Sequence, residues 1–170
     1  ALRLLADRLD LPRETLAGLA PARGGGTRAQ VDAPRLLDAG DRLEFPYFVD
    51  ERLNRSDIRS DPANGQVKPG RPLALTLQIA RLGSGDCQAL PGAQVDIWHC
   101  DALGVYSDVR DAGFNTIGQK FLRGYQITDS RGEARFVTIY PGWYVGRTVH
   151  IHVKVRTAPA AGRSFEFTSQ

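Results

Sequence analysis

From Arg71 onward the apolar residues tend to recur at every second position. Leu73, Leu75, Leu77 and Ile79 alternate with Ala74, Thr76, Gln78 and Ala80, the period of a strand with one face buried. The same period returns from Ala93 to Cys100, where Val95 and Ile97 alternate with Asp96 and Trp98. Further strands are expected near Phe121 to Ile127, Ala134 to Ile139, Thr148 to Val155 and Ser164 to Thr168. Turn chemistry separates them: the stretch SGDCQALPG, then Asp129-Ser130-Arg131-Gly132, then Pro141-Gly142. Short antiparallel strands at this spacing predict an all-β fold, an antiparallel β-sandwich. The N-terminal stretch reads differently. Leu2, Leu5 and Leu9 stand at helical spacing, and Asp10 before Pro12 is placed to cap a second short helix running to about Ala20. Residues 21 to 35 are rich in Gly, Arg and Pro, as a linker is. The expected organisation is a short helical arm with its linker over 1–40, followed by a β domain over 41–170.

Composition narrows the function classes. Twenty-two basic and 19 acidic residues leave a net charge of +3, and the arginines are scattered among aspartates instead of forming a stripe, which argues against a nucleic-acid partner. No run of about 18 apolar residues exists, so no helical membrane span is expected. The first segment is a poor signal peptide, because Arg3, Asp7, Arg8 and Asp10 interrupt any apolar region. The chain starts at Ala1 and contains no methionine, so a processed or partial form of a longer product is expected. Its two cysteines, Cys87 and Cys100, cannot make a four-thiolate zinc site. Their spacing allows a disulfide in an oxidising compartment and equally allows two free thiols.

The strand Thr148-Val149-His150-Ile151-His152-Val153-Lys154-Val155 carries the most chemical information. Alternation places Val149, Ile151, Val153 and Val155 on one face and His150 with His152 on the other, two imidazoles about 6 to 7 Å apart. Such a pair either converges on a metal or forms hydrogen-bonded surface histidines. A facial-triad iron(II) site wants a nearby carboxylate, yet Lys154 and Arg156 follow and no acid appears before Glu166. A three-histidine zinc site would have to recruit His99, which shares an alternation face with apolar Val95 and Ile97. Tyrosine is the remaining strong donor: Tyr144 stands six residues before His150, and Tyr106 follows Gly104-Val105. A phenol that titrates near 10 in water binds as phenolate only to a hard, highly charged ion such as iron(III).

Four blocks, in order, resemble the intradiol ring-cleavage dioxygenases, the group that includes catechol 1,2-dioxygenases and protocatechuate 3,4-dioxygenases. The blocks are Pro91 to Tyr106 (PGAQVDIWHCDALGVY), Thr128-Asp129-Ser130 through Gly132, Thr138 to Tyr144 (TIYPGWY), and Arg147-Thr148-Val149-His150-Ile151-His152. The similarity covers about residues 43 to 170 and implies a prealbumin-like (transthyretin-like) sandwich. It implies non-haem iron(III) held by Tyr106, Tyr144, His150 and His152, with Tyr144 and His152 axial and Tyr106, His150 and a water-derived hydroxide equatorial. Arg147 falls where the family places an arginine beside the bound ring, to stabilise negative charge there. Thr168-Ser169-Gln170 matches a strand whose glutamine lies near the site. Leu43, Pro46 and Tyr47 fall on pocket-lining positions, although Phe45 replaces a usual glycine. The connection from Tyr144 to His150 is shorter than in the catechol and protocatechuate enzymes, which suggests a compact branch, and the family continues beyond Gln170.

The activity implied is cleavage of a small aromatic diol between its two hydroxylated carbons, with both atoms of O2 entering a muconate-type dicarboxylate. The diol would bind iron(III) through both oxygens, with Tyr144 and the hydroxide accepting its protons. Two other classes stay open. Pro91 to Tyr106 and Thr128 to Tyr144 also resemble non-catalytic transthyretin-like and carboxypeptidase-regulatory-like modules, and His150, His152 and His99 could serve a zinc hydrolase or lyase. Which catechol is used, and whether the chain forms a homo-oligomer through its amphipathic arm, are left open by the sequence. A secreted or periplasmic location is expected over a cytoplasmic one, from the missing initiator, the spacing of the cysteines and the resemblance to exported members.

Overall fold

The computed structural model describes residues 3–5, 47–82, 87–157 and 166–169. They form nine strands: β1 (Arg3–Leu5), β2 (Pro72–Gln78), β3 (Ala80–Leu82), β4 (Cys87–Ala89), β5 (Gln94–Trp98), β6 (Arg123–Ile127), β7 (Glu133–Ile139), β8 (His152–Arg156) and β9 (Glu166–Ser169). There is no helix among the described residues. One sheet has the order β1-β2-β7, a second the order β6-β5-β8-β9, and β3 pairs with β4 as a separate two-stranded ladder. Every ladder within these sheets is antiparallel.

Alternation explains how the two larger sheets share a core. In the β2–β7 register Leu75 faces Phe136 and Leu77 faces Ala134, and in the β5–β8 register Val95 faces Val155 and Ile97 faces Val153. All eight belong to a single apolar cluster with Ile58, Ile79 and Ala93. Burying each Val, Leu, Ile or Phe of this cluster is worth about 1.5–3 kcal/mol, so the cluster is a main source of the cohesion between the sheets. The opposite side of β5 is buried as well. Phe48 packs edge-on against Trp98, and Arg156 forks onto Asp96 through Nε (3.1 Å) and Nη2 (2.7 Å) while its Nη1 reaches Asp50 (2.8 Å). The 47–60 segment that lies there is fastened by backbone bonds to β6 and β7, with Arg55 N–H donating to Tyr125, Tyr125 N–H to Leu53 and Ile58 N–H to Val137.

Three expectations change. Arg3–Leu5 is not helical but extends the first sheet, Leu5 pairing with Thr76 and Arg3 with Gln78. The edge of β2 offers a row of backbone donors and acceptors that outweighs the weak preference of so short a leucine pattern. The rest of the expected arm lies outside the described residues. Cys87–Ala89 is a strand instead of part of a turn, and its pairing with β3 leaves Cys87 exposed while Cys100 is buried, so both cysteines are free thiols. Finally, β8 begins at His152. Val149 is exposed and Ile151 only half-buried, so the apolar face expected from Val149 onward starts in earnest at Val153.

Candidate metal centre

Three separate stretches, two of them loops, bring phenols and imidazoles together beyond the end of β5. Tyr106 leaves a tight turn that starts at Asp101. The Asp101 carboxylate accepts the N–H groups of Leu103 (2.9 Å) and Val105 (3.1 Å), and Lys68 pairs with its other oxygen at 2.9 Å. Beyond the turn, Thr116 Oγ1 donates to the Tyr106 carbonyl at 2.6 Å. Arg123, buried in β6, donates from Nε to Ser107 Oγ at 2.7 Å and from Nη2 to the Ser107 carbonyl. Tyr106 is thereby fixed at both flanks and is 1% exposed.

Tyr144 lies on the loop after β7, and two glycines let that loop touch the Asp101 turn backbone to backbone. Gly142 N–H donates to the Asp101 carbonyl at 2.9 Å, and a Cβ at Gly142 would stand 2.4 Å from the Ala102 carbonyl oxygen. Gly104 has φ +84°, open to glycine at little cost, and a Cβ there would meet the Trp143 carbonyl oxygen at 2.8 Å. Glycine at 104 and at 142 thus has a packing reason.

His150 and His152 converge, His150 from coil just ahead of β8 and His152 as its first residue. The ring centroids are 4.6 Å apart and nearly perpendicular, and the two Nε2 atoms are 3.2 Å apart. The His152 ring lies flat on the Trp98 indole at 4.8 Å and 10°. His150 Nδ1 donates to the Thr148 carbonyl at 2.6 Å. A carbonyl can only accept, so the proton is on Nδ1 and the Nε2 lone pair is turned inward, the usual second contact of a metal-binding imidazole. Both phenols reach that same nitrogen, Tyr106 Oη at 3.2 Å and Tyr144 Oη at 3.4 Å.

These four donors fit a metal ion. Two donors bound to one ion at right angles, each about 2.1 Å from it, stand about 3.0 Å apart, within a few tenths of an ångström of the spacings here. Burial suits the histidine: loss of solvent, with the nearby His150 and Arg147, pushes His152 down to about 3, so its imidazole is neutral. Burial pushes the Tyr106 phenol well above the usual tyrosine range, and the hydrogen bond with Tyr144 adds to this, so its proton leaves only when a strong cation takes its place. Among the described residues no three His, Cys, Asp or Glu side chains converge. The three-histidine zinc reading is corrected on geometry. His99 Nδ1 donates to the Cys100 carbonyl at 2.8 Å and Nε2 accepts from Thr138 Oγ1 at 2.7 Å, so both its nitrogens are engaged inside the fold.

Of the remaining expected site residues, Arg147 is exposed, one turn from Tyr144, to whose carbonyl its N–H donates at 3.3 Å. Its charge is felt at both Tyr47 and His152. Tyr47 lies against the site, its ring stacked on Tyr106 with centroids 4.6 Å apart and planes at 24°. Leu43, Pro46 and Gln170 lie outside the described residues. The sequence did not single out Trp98 as the platform under His152, although its place in Trp98-His99-Cys100-Asp101 was in view. It gave no sign of Asp111, which accepts the Tyr47 phenol from 64 positions away.

A dioxygenase family model matches residues 43–161. The chain is 31% identical over 151 residues to the chlorocatechol 1,2-dioxygenase of Pseudomonas putida, a match covering 78% of this chain and 52% of that protein. Its structure is similar to an intradiol ring-cleavage dioxygenase from Tetranychus urticae (TM-score 0.55, 32% identity, 71% of this chain and 59% of that one). It is also similar to the dioxygenase domain of a dioxygenase carbohydrate-binding protein fusion from Streptomyces sp. SirexAA-E (TM-score 0.53, 30% identity, 78% and 72%). The chain spans about half the length of the curated relative it matches. With the match running from residue 43 to residue 161, through both tyrosine loops and the histidine pair, the chain belongs to the intradiol ring-cleavage dioxygenase family.

Proposed function

We propose that this chain is the catalytic domain of an enzyme that opens catechol-type rings between the two hydroxylated carbons, both atoms of O2 entering a muconate-type dicarboxylate. Tyr106, Tyr144, His150 and His152 would hold a non-haem iron(III). The observation that carries the reading is the convergence of two phenols on His150 Nε2, itself 3.2 Å from His152 Nε2, in a chain of this family. A ferric ion held there would supply Lewis-acid chemistry, drawing electron density from a bound diol's ring.

The protein's own groups supply the rest. His152, buried and neutral, and His150, its tautomer set by Thr148, give a fixed pair of nitrogen donors. Tyr106 is locked by Thr116 and by Arg123 through Ser107, which suits a donor that stays bound. Tyr144 is half-buried on a loop, which suits a group that releases its hold and takes up a proton from the entering diol. Arg147 offers a fixed positive charge beside the ring as it becomes electron-rich. We further propose that the two larger sheets are the faces of a transthyretin-like sandwich over 41–170, a reading supported by their shared core and by the family match beginning at residue 43.

Loading with iron and following visible absorption and oxygen uptake tests the proposal. A coloured protein that consumes O2 with catechol, protocatechuate or hydroxyquinol and forms a muconate-type absorbance is expected, with the colour altered in Tyr106→Phe and iron lost in His150→Ala and His152→Ala. An iron-loaded protein without colour, or a Tyr106→Phe spectrum identical to wild type, refutes the ligand set.

A further inference from the structure

Asp111 has no place in the chemistry described so far, yet it closes a circuit around Tyr106. It lies exposed in the loop between Tyr106 and β6. Its Oδ2 accepts the Tyr47 phenol at 2.5 Å, and its Oδ1 accepts the N–H of Ala112 at 2.5 Å. The loop itself is built on Tyr106. Thr116 Oγ1 donates to the Tyr106 carbonyl and accepts the Val109 N–H at 3.2 Å, and Asp111 N–H donates to the Phe114 carbonyl at 2.8 Å. The carboxylate is therefore held in register with Tyr106.

Tyr47 is gripped from both ends. Its carbonyl accepts from Arg123 Nη1 at 3.2 Å, the same guanidinium that holds Ser107 beside Tyr106. Its backbone is left-handed, φ +70°, a conformation a residue with a Cβ adopts only when its surroundings impose it. Between these two anchors the ring lies flat on Tyr106, whereas Tyr144 meets Tyr106 edge-on with centroids 5.8 Å apart. Three phenols thus crowd one site, and one of them is committed to a carboxylate.

We propose that Asp111 is a positioning residue of the metal centre, gripping the Tyr47 phenol so that the Tyr47 ring stays flat against Tyr106 and sets the plane in which Tyr106 offers its oxygen. This rests on Tyr106 being a metal ligand. A charge-assisted hydrogen bond is the strong kind, and its acceptor is on the surface, where substitution leaves the core intact. Its bond from Ala112 serves the loop alone; toward Tyr106 Asp111 acts through Tyr47, so the effects of removing either partner on the visible band coincide and do not add.

The test uses the whole chain loaded with iron, in wild type, Asp111→Ala, Asp111→Asn, Tyr47→Phe and the double variant Asp111→Ala/Tyr47→Phe. Asp111→Ala and Tyr47→Phe are expected to shift the visible band by the same amount and in the same direction, with the double variant no further displaced and kcat/KM for catechol reduced about tenfold in each. Asp111→Asn, which keeps an oxygen acceptor, is expected to return most of the way to wild type. A coloured wild type whose band is unmoved in Asp111→Ala, or shifts that add in the double variant, overturns the proposal while leaving the ligand set standing. A colourless wild type instead removes Tyr106 as a ligand, and this proposal with it. Should Asp111→Ala not fold, Tyr47→Phe keeps the ring, loses only the bond, and decides alone: an unmoved band overturns the proposal.

Discussion

Gly142→Ala is the most direct perturbation of how the site is assembled. An added Cβ would lie 2.4 Å from the Ala102 carbonyl oxygen, 2.5 Å from its carbon and 2.7 Å from the Asp101 carbonyl oxygen. An ordinary carbon–oxygen contact is about 3.4 Å, so the two loops must part by about 1 Å, and the atoms in the way are backbone. Overpacking of this kind costs about 1–3 kcal/mol. Loss of the Gly142–Asp101 backbone bond adds about 1 kcal/mol, for a total of about 2–4 kcal/mol. At about 2–4 °C per kcal/mol for a chain of this size, Tm should fall by about 5–15 °C. The consequence for function is larger than for stability, because one loop carries Tyr106 and the other Tyr144, and metal sites tolerate only about 0.2 Å in donor distance. Thermal unfolding, iron stoichiometry and the visible spectrum, measured on Gly142→Ala beside Gly113→Ala, check this. Gly113 has no atom near a would-be Cβ and no left-handed backbone, so its variant should match wild type. A Gly142→Ala protein with wild-type melting and wild-type iron binding would refute the packing argument.

Three further outcomes follow from the electrostatics. Burial holds His99 down at about 4 and His152 at about 3. The unfolded chain therefore binds more protons below the ordinary histidine value near 6.5, and stability of the metal-free protein should decline as pH falls from 6.5, to about 4 for the His99 contribution and to about 3 for that of His152. His99 alone accounts for about 2–3 kcal/mol at pH 4.5, and a flat series of urea midpoints from pH 7 to 4.5 would contradict its burial as a neutral imidazole. Iron uptake should release at least the Tyr106 proton, since burial and Tyr144 keep that phenol protonated in the metal-free protein. Calorimetric titrations in buffers of different ionisation heat measure this, and proton-neutral uptake would count against Tyr106 as a ligand. Arg156→Ala strips the fork from Asp96, whose side chain is 10% exposed, and should cost about 3–5 kcal/mol. The double variant Asp96→Ala/Arg156→Ala should recover part of that, and a single variant melting within about 2 °C of wild type would show the pair to be dispensable.

The side chains that converge beyond β5 and the strands that bear on them were legible in the chain because both signals are local. Period-two alternation places Leu75 and Leu77, or Val95 and Ile97, on one face whatever the strand's neighbours are, and those faces are the core. Tyr106, Tyr144, His150 and His152 stood out through the blocks around them, and Gly104 and Gly142 belong to those same blocks. Only the fold decided what meets at long range. It brought three stretches of chain to a common point, tied up both nitrogens of His99, and kept Cys87 on the surface while Cys100 was buried. It started β8 only at His152, left His150 in coil ahead of it, and turned the two imidazoles toward each other until their Nε2 atoms stand 3.2 Å apart. It turned Arg3–Leu5 into an edge strand because β2 had a free side. The bond from Tyr47 to Asp111 belongs to the same class: a tyrosine and an aspartate 64 positions apart carry no mutual pattern, and only the packing of their two segments around Tyr106 makes them partners.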